Sequence, residues 1–156
     1  MIKLRVGIIG CGTIGSEMAL ACQTRLKGSI DLIGICDLIK EKAELLQKSL
    51  SVRTPVLELD DLITRSDLIV EAAGAKISAE ILREAINSRK DVLIMSIGGI
   101  LGNENLLEDA RAAGIRVYLP SGALCGIDGL KSSSIGRIDS VTLTTRKPPK
   151  GLTGAP

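Results

Sequence analysis

The sequence has no histidine, tryptophan or phenylalanine in its 156 residues, and its single aromatic side chain is Tyr118. Its four cysteines are Cys11, Cys22, Cys36 and Cys125. They show no C-x-x-C spacing and have no histidine to join them, so a structural zinc site is not expected. We expect the cysteines at 22, 36 and 125 to be small core residues. A lone aromatic residue also argues against stacking of nucleic-acid bases.

An excess of one charge and long hydrophobic runs are lacking as well. Twenty basic and 18 acidic residues are interspersed and give a net charge of +2, without the basic stripe typical of a nucleic-acid partner. The apolar runs are too short to cross a bilayer, and Lys3 and Arg5 lead into a strand rather than a signal peptide. We therefore expect a cytoplasmic globular protein without a membrane or nucleic-acid partner.

Glycine is abundant, and three glycines form a G-x-G-x-x-G motif immediately after the apolar run 6–9. The motif is Gly10-Cys11-Gly12-Thr13-Ile14-Gly15, and a helical pattern follows it. Gly10 allows a tight turn after the strand, Gly12 allows the backbone to approach a pyrophosphate, and Gly15 allows close packing of helix on strand. The N–H groups at the start of the helix would then face the phosphate charge.

Asp37 supplies the acidic residue that accompanies such a motif, because the apolar run 30–36 ends in it, 22 residues after Gly15. A carboxylate at this position accepts hydrogen bonds from the adenosine ribose, which favours NAD. Lys40 and Lys42 keep NADP possible, since either could pair with a 2′-phosphate. Glycines alone can serve tight packing, but strand, helix and acid in this order favour a dinucleotide site. Within it, we expect the backbone N–H of Cys11 to matter more than its sulfur, which has no histidine to activate it.

Helix and strand patterns alternate along the chain, which predicts an α/β fold with a doubly wound parallel sheet, the Rossmann arrangement. Right-handed crossovers between six strands give the default order 3-2-1-4-5-6. The predicted strands are 6–9, 30–36, 53–56, 68–71, 92–95 and 116–119. The predicted helices are 13–26, 39–50 with Leu45, Leu46 and Leu50 facing inward, a short helix capped by Asp60 or Asp61, one capped by Ser78, and 103–113.

Small residues follow three of the predicted strands, at the edge of the sheet where ligands bind. Each group alone is typical of a turn. Together, and opposite the glycine motif at 10–15 (the phosphate loop), they predict room for a nicotinamide ring and its ribose. The candidate residues are Ala72, Ala73 and Gly74 after one strand, Ser96, Ile97 and Gly98 after the next, and the segment 120–123 after the third.

The pattern changes after residue 122. Residues 125–134 predict a helix weakened by Gly126 and Gly129, and residues 137–145 alternate with period two, which predicts a half-exposed strand. We therefore expect residues 1–122 to form the Rossmann domain. Residues 123–156 are expected to begin an α+β domain, for substrate binding and dimerisation, that they do not complete.

Three motifs resemble the L-aspartate dehydrogenase family over essentially the whole chain. They are the motif at 10–15, Pro120-Ser121-Gly122-Ala123 with Gly126-Ile127-Asp128, and Thr144-Thr145-Arg146-Lys147-Pro148-Pro149. The second and third are more specific to this family and its homoserine dehydrogenase relatives. The resemblance implies NAD(P)-dependent oxidation of L-aspartate to iminoaspartate, for NAD biosynthesis, by a homodimer. It also implies that Ala123 contacts the nicotinamide cofactor.

The sequence departs from that family at the residue that handles the proton. The family's histidine lies in the second domain, and this sequence has none, so no catalytic residue is assigned. Two hypotheses remain open: the N-terminal part of an aspartate dehydrogenase or related homoserine-dehydrogenase-like enzyme, or a stand-alone NAD-binding module. A strand-rich, histidine-containing segment encoded after residue 156 would favour the enzyme.

Overall fold

The computed structural model describes residues 2–121, 130, 133–142, 144 and 146. Contacts divide the chain into two compact units, Met1–Gly122 and Ala123–Pro156. The first unit is a parallel five-stranded sheet in the order β2-β1-β3-β4-β5, with helices on both faces. This confirms the predicted Rossmann-type fold, and the switch point between β1 and β3 marks the edge where ligands bind.

The strands and helices follow the predicted alternation. The strands are β1 (Leu4–Ile9), β2 (Ile30–Cys36), β3 (Leu68–Glu71), β4 (Asp91–Ile94) and β5 (Val117–Tyr118). The helices are α1 (Thr13–Gln23), α2 (Lys40–Ser49), α3 (Leu59–Arg65), α4 (Ala75–Asn87) and α5 (Asn105–Ala113), with a 3₁₀ turn at Ile97–Ile100. Gly114, with φ +74°, closes α5.

The prediction of a sixth strand at residues 53–56 is wrong, because that segment forms only one bridge. Val56 pairs with Ile35 on the free side of β2, the position of strand three in the order 3-2-1-4-5-6. Ile35 N–H donates to the carbonyl oxygen of Pro55 and Leu57 N–H donates to that of Ile35, both at 3.0 Å. The next bond of a parallel ladder towards residue 53 would need an N–H on Pro55, which proline lacks.

Apolar side chains cover both faces of the sheet, because they alternate along its strands. In β1, Val6 and Ile8 point into the core beneath α1 and α2, whereas Ile9 points into the core beneath α3, α4 and α5. A sheet buried on both faces explains the continuous apolar runs in the sequence.

The predicted inner stripe of α2 is wrong at Leu45, which is 71% exposed. The buried positions are Ala43, Leu46 and Leu50. These three lie on one face at the helical period, and Leu45 falls outside it.

Two predicted helix caps are also wrong. Helix α3 begins after Glu58, so Asp60 and Asp61 lie inside its first turn, where the helix dipole favours their charge. Helix α4 begins after Gly74, whose φ is +113°, and Ser78 lies fully buried within the helix. None of the helices in the described part of the chain is long and apolar enough to span a membrane.

The second unit is described at residues 130, 133–142, 144 and 146. Residues 137–142 and 144 have no strand structure, so the strand predicted at 137–145 is wrong for the described residues. Alternating side chains indicate two faces, but a strand exists only where a neighbouring strand pairs with it. Arg137 and Asp139 instead form an ion pair at 2.8 Å. Most of the helix predicted at 125–134 lies outside the described residues.

Candidate functional site

The three glycines of the motif have the backbone positions that the sequence predicts. Gly10 has φ +100°, and a Cβ there would lie 2.5 Å from the backbone of Ala72. A Cβ on Gly15 would overlap the carbonyl oxygen of Gly10, so helix and loop touch directly. Gly12 has no atom within 4 Å of its ideal Cβ position. The open space in front of Gly12 therefore fits a pyrophosphate.

The start of α1 offers backbone N–H groups to this open space. Gly12 is the N-cap, no side chain caps the helix, and the first N–H groups of a helix lack intrahelical partners. The amides of Thr13 and Ile14 are therefore suited to an anion. The amide of Cys11 has a different partner, because it donates to Asp37 Oδ2 at 2.7 Å.

Asp37 follows β2 and is fixed by two backbone amides. Its Oδ2 accepts from Cys11 N–H at 2.7 Å, and its Oδ1 accepts from Ile39 N–H at 2.8 Å. Each carboxylate oxygen accepts more than one hydrogen bond, so capacity for a ribose hydroxyl remains. The carboxylate thus links the phosphate loop to the end of β2.

A cavity of about 320 Å³ lies beside Asp37 and was not predicted from the sequence. Its size is at the lower end of small-molecule sites, and its mostly apolar wall with three carboxylates, those of Asp37, Glu58 and Glu80, suits the adenosine part of a dinucleotide. The lining residues are Ile9, Cys36, Asp37, Leu38, Glu58, Leu59, Ile77, Glu80 and Ile81. They come from separate segments, so no local pattern could have revealed them.

Cys11 is buried, and its thiol is a poor nucleophile. Burial, with smaller contributions from Asp37 and Cys36, raises its pKa to about 12, so it stays protonated at neutral pH. Cys22 is buried in the core as expected and Cys36 is half-buried, whereas Cys125 lies outside the described residues. No group of metal-binding side chains occurs among the residues that the structure describes.

The loops after β3 and β4 contain the small residues predicted for the nicotinamide side. Glu71, the last residue of β3, is fully buried and joins these loops. Its Oε1 accepts from Ala73 and Gly74 N–H at 2.8 and 3.0 Å, and its Oε2 accepts from Ser96 N–H at 3.0 Å. Sequence reasoning missed Glu71 because its partner on the second loop is 25 residues away.

The predicted site residues gather at the carboxyl edge of the sheet. Those after β1, β2, β3 and β4 are Gly10, Cys11, Gly12, Thr13, Ile14, Gly15, Asp37, Ala72, Ala73, Gly74, Ser96, Ile97 and Gly98. Ala123 lies outside the described residues.

Comparison with known sequences identifies relatives of the whole chain. The family described as homoserine dehydrogenase, NAD binding domain matches residues 10–120. L-Aspartate dehydrogenases of Methanosarcina mazei and Methanosarcina acetivorans are each 40% identical over 98% of this chain and 58% of their own length. That of Bradyrhizobium diazoefficiens is 37% identical over 99% of this chain and 54% of its own length. The chain thus spans a little more than half the length of the curated relatives it matches.

Solved structures share the fold at lower sequence identity. The WlbA dehydrogenase from Bordetella pertussis, in complex with NADH and UDP-GlcNAcA, matches 86% of this chain and 42% of its own with a TM-score of 0.68. The scyllo-inositol dehydrogenase from Lactobacillus casei matches 75% of this chain and 36% of its own length with a TM-score of 0.65. Both are 18% identical to this chain, so they show the fold alone.

These comparisons confirm the resemblance to L-aspartate dehydrogenase, the Rossmann fold and NAD as the cofactor class. The open phosphate loop and the fixed carboxylate of Asp37 agree with them. The chain belongs to the family of homoserine dehydrogenase NAD-binding domains.

Proposed function

We propose that the protein containing these residues is an NAD(P)-dependent L-aspartate dehydrogenase, which oxidises L-aspartate to iminoaspartate for NAD biosynthesis. In this proposal residues 1–122 are the cofactor domain and residues 123–156 begin the substrate and dimerisation domain. The observation that carries it is the open start of α1 beside the fixed Asp37 carboxylate. Forty per cent identity to L-aspartate dehydrogenases over 98% of the chain supports the choice of substrate.

Each part of the dinucleotide has its own group of residues. The amides of Gly12, Thr13 and Ile14 hold the pyrophosphate, with Gly10 and Gly15 allowing the loop its shape. Asp37 accepts from the adenosine ribose, and the cavity beside it takes the adenine. The loops 72–74 and 96–98, with Ala123 by resemblance, surround the nicotinamide.

When bound, the cofactor supplies a hydride acceptor for the substrate carbon. The residues of this chain bind and orient it, and positioning of two reactants supplies a large part of the rate in such reactions. No residue of this chain is assigned the proton transfer. A homodimer in the cytoplasm completes the proposal, and sedimentation of the purified protein tests the dimer.

We expect the chain to bind NADH about tenfold or more tightly than NADPH, because the Asp37 carboxylate accepts from a ribose hydroxyl but repels a 2′-phosphate. Glu58 and Glu80, which line the same cavity, add negative charge against the phosphate. Asp37→Ser and Asp37→Ala should weaken NADH binding and reduce the preference. Calorimetric titration with both cofactors measures these effects.

Asp31→Ser is the matched control for Asp37, since Asp31 is an exposed acid near the other end of β2. It should leave both affinities unchanged. Equal affinities for NADH and NADPH that no substitution at Asp37 alters would contradict its role at the ribose.

The substrate is tested with the gene product that contains this sequence, by following NADH formation with L-aspartate, L-homoserine or scyllo-inositol. We expect turnover with L-aspartate alone. Turnover with L-homoserine instead would favour the homoserine-dehydrogenase-like alternative. NADH binding without turnover of any of the three compounds would favour a stand-alone NAD-binding module.

A further inference from the structure

Glu71 is a buried carboxylate in the first unit that the proposed function does not use. It ends the central strand β3, and none of its solvent-accessible surface is exposed. Among the described residues no lysine or arginine forms an ion pair with it. A buried carboxylate is costly unless hydrogen bonds replace its hydration, so its partners are the reason that it is tolerated.

Those partners belong to two different loops. From the loop after β3, Ala73 and Gly74 donate their backbone N–H groups to Oε1 at 2.8 and 3.0 Å. From the loop after β4, Ser96 donates its backbone N–H to Oε2 and its hydroxyl to Oε1, both at 3.0 Å. In all four hydrogen bonds Glu71 is the acceptor, so its carboxylate joins the two loops. The hydroxyl of Ser78 also lies between them, 3.1 Å from the carbonyl oxygens of Gly74 and Ser96.

The same two loops are held against their other neighbours by backbone packing. The backbone of Ala72 lies against Gly10 of the phosphate loop, and Gly99 lies against the carbonyl oxygen of Ala75 at the start of α4. Gly98, by contrast, has open space in front of its Cβ position. The loops are therefore packed closely against the phosphate loop and the start of α4, and they leave open space at Gly98.

We propose that Glu71 is a positioning residue that fixes the nicotinamide half of the cofactor site without touching the cofactor. The proposal rests on the proposed function, because it assumes that NAD(H) lies across this edge of the sheet. The ribose acceptor of the adenosine half, Asp37, is fixed by Cys11 and Ile39 rather than by Glu71, although part of the cavity wall lies on α4, which follows the loop 72–74. Loss of Glu71 should therefore affect the two halves unequally.

Glu71→Gln is the informative substitution, because glutamine has nearly the same shape but only one acceptor oxygen. If that oxygen takes the place of Oε1, the new amide group faces the N–H of Ser96. If it takes the place of Oε2, the amide group faces the N–H groups of Ala73 and Gly74. Either orientation places donor against donor and releases one loop.

The experiment compares NADH with ADP, which lacks the nicotinamide riboside, by calorimetric titration of the full chain. For Glu71→Gln we expect NADH affinity to fall about tenfold while ADP affinity changes less than about twofold, since a lost hydrogen bond to a charged group has this size. The fluorescence of bound NADH should move towards that of free NADH. A purely structural role would lower stability and leave the NADH to ADP ratio unchanged.

Asp67→Asn is the matched control. Asp67 also joins strands, accepting from the backbone N–H of Arg5 at 3.0 Å, but it lies at the amino edge of the sheet, away from the site. It should leave both affinities unchanged. If Glu71→Gln fails to fold, Ser96→Ala takes its place, because it removes one hydroxyl and should lower NADH affinity selectively by about twofold or more.

The outcomes separate the two proposals. Wild-type chain that binds neither NADH nor ADP contradicts the NAD-binding function and the role of Glu71 with it. Wild-type chain that binds both, with variants that change the two affinities equally or not at all, overturns the role of Glu71 alone.

Discussion

We expect Gly12→Val to abolish NADH binding, by about 100-fold or more in affinity, while the chain keeps its fold. Gly12 has φ −77° and ψ −165°, an extended conformation that valine adopts without strain. Apart from its chain neighbours, no atom lies within 4 Å of its Cβ position, so the Cβ of the new side chain clashes with no part of the protein. Instead it fills the space in front of the helix start, which the pyrophosphate needs.

Titration of NADH, with circular dichroism of the same samples, measures binding and fold separately. Gly28→Val is the matched control, because Gly28 also has open space at its Cβ position but lies in the turn before β2, at the opposite edge of the sheet. It should bind NADH like the wild type. Wild-type affinity in Gly12→Val would mean that the phosphates bind elsewhere.

We expect Gly15→Ala to lower the free energy of unfolding by about 3 kcal/mol, which corresponds to a melting temperature roughly 6–12 °C lower. Helix propensity alone predicts the opposite sign, since alanine is favoured over glycine in a helix by about 1 kcal/mol. We expect the packing effect to be larger than the helix propensity. The added Cβ overlaps the carbonyl oxygen of Gly10, and this backbone atom cannot move away by rotation of a side chain.

Urea unfolding of Gly15→Ala, compared with Gly12→Ala and the wild type, measures the change in the free energy of unfolding and its sign. Gly12→Ala should leave stability nearly unchanged, since its Cβ meets open space. A Gly15→Ala chain that is more stable than the wild type would show that the helix start shifts freely, and the close contact with Gly10 would then have no structural importance.

Much of the fold was predictable because its signals are local. The run Ile30–Cys36 was predicted to the residue, since its residues are apolar except for Asp31 and the acidic Asp37 follows its end. The predictions that were wrong depended on contacts with other parts of the chain, which the local sequence does not show. The segment 53–56 has the composition of an edge strand, but Pro55 stops the ladder after one bridge. Ser78 resembles a helix cap, but Gly74 begins the helix earlier through a positive φ.

The candidate site divides in the same way. The glycine motif and Asp37 were found because their spacing is fixed by one strand, one loop and one helix. The cavity wall was missed because Leu38, Leu59 and Ile77 meet only after the chain has folded. The sequence predicted Glu71 only as the last residue of a strand. Its hydrogen bonds to Ser96 could not be predicted, because they depend on the register of β3 against β4.

The double attachment of Asp37 bears on any attempt to re-engineer cofactor choice. Replacing its carboxylate to admit NADP also releases the amide of Cys11, and a half-buried amide without an acceptor costs about 1–3 kcal/mol. A basic residue alone at this position would therefore weaken the phosphate loop while it recruits the extra phosphate. A designer needs two changes together, one that supplies positive charge, and one that keeps an oxygen within reach of Cys11.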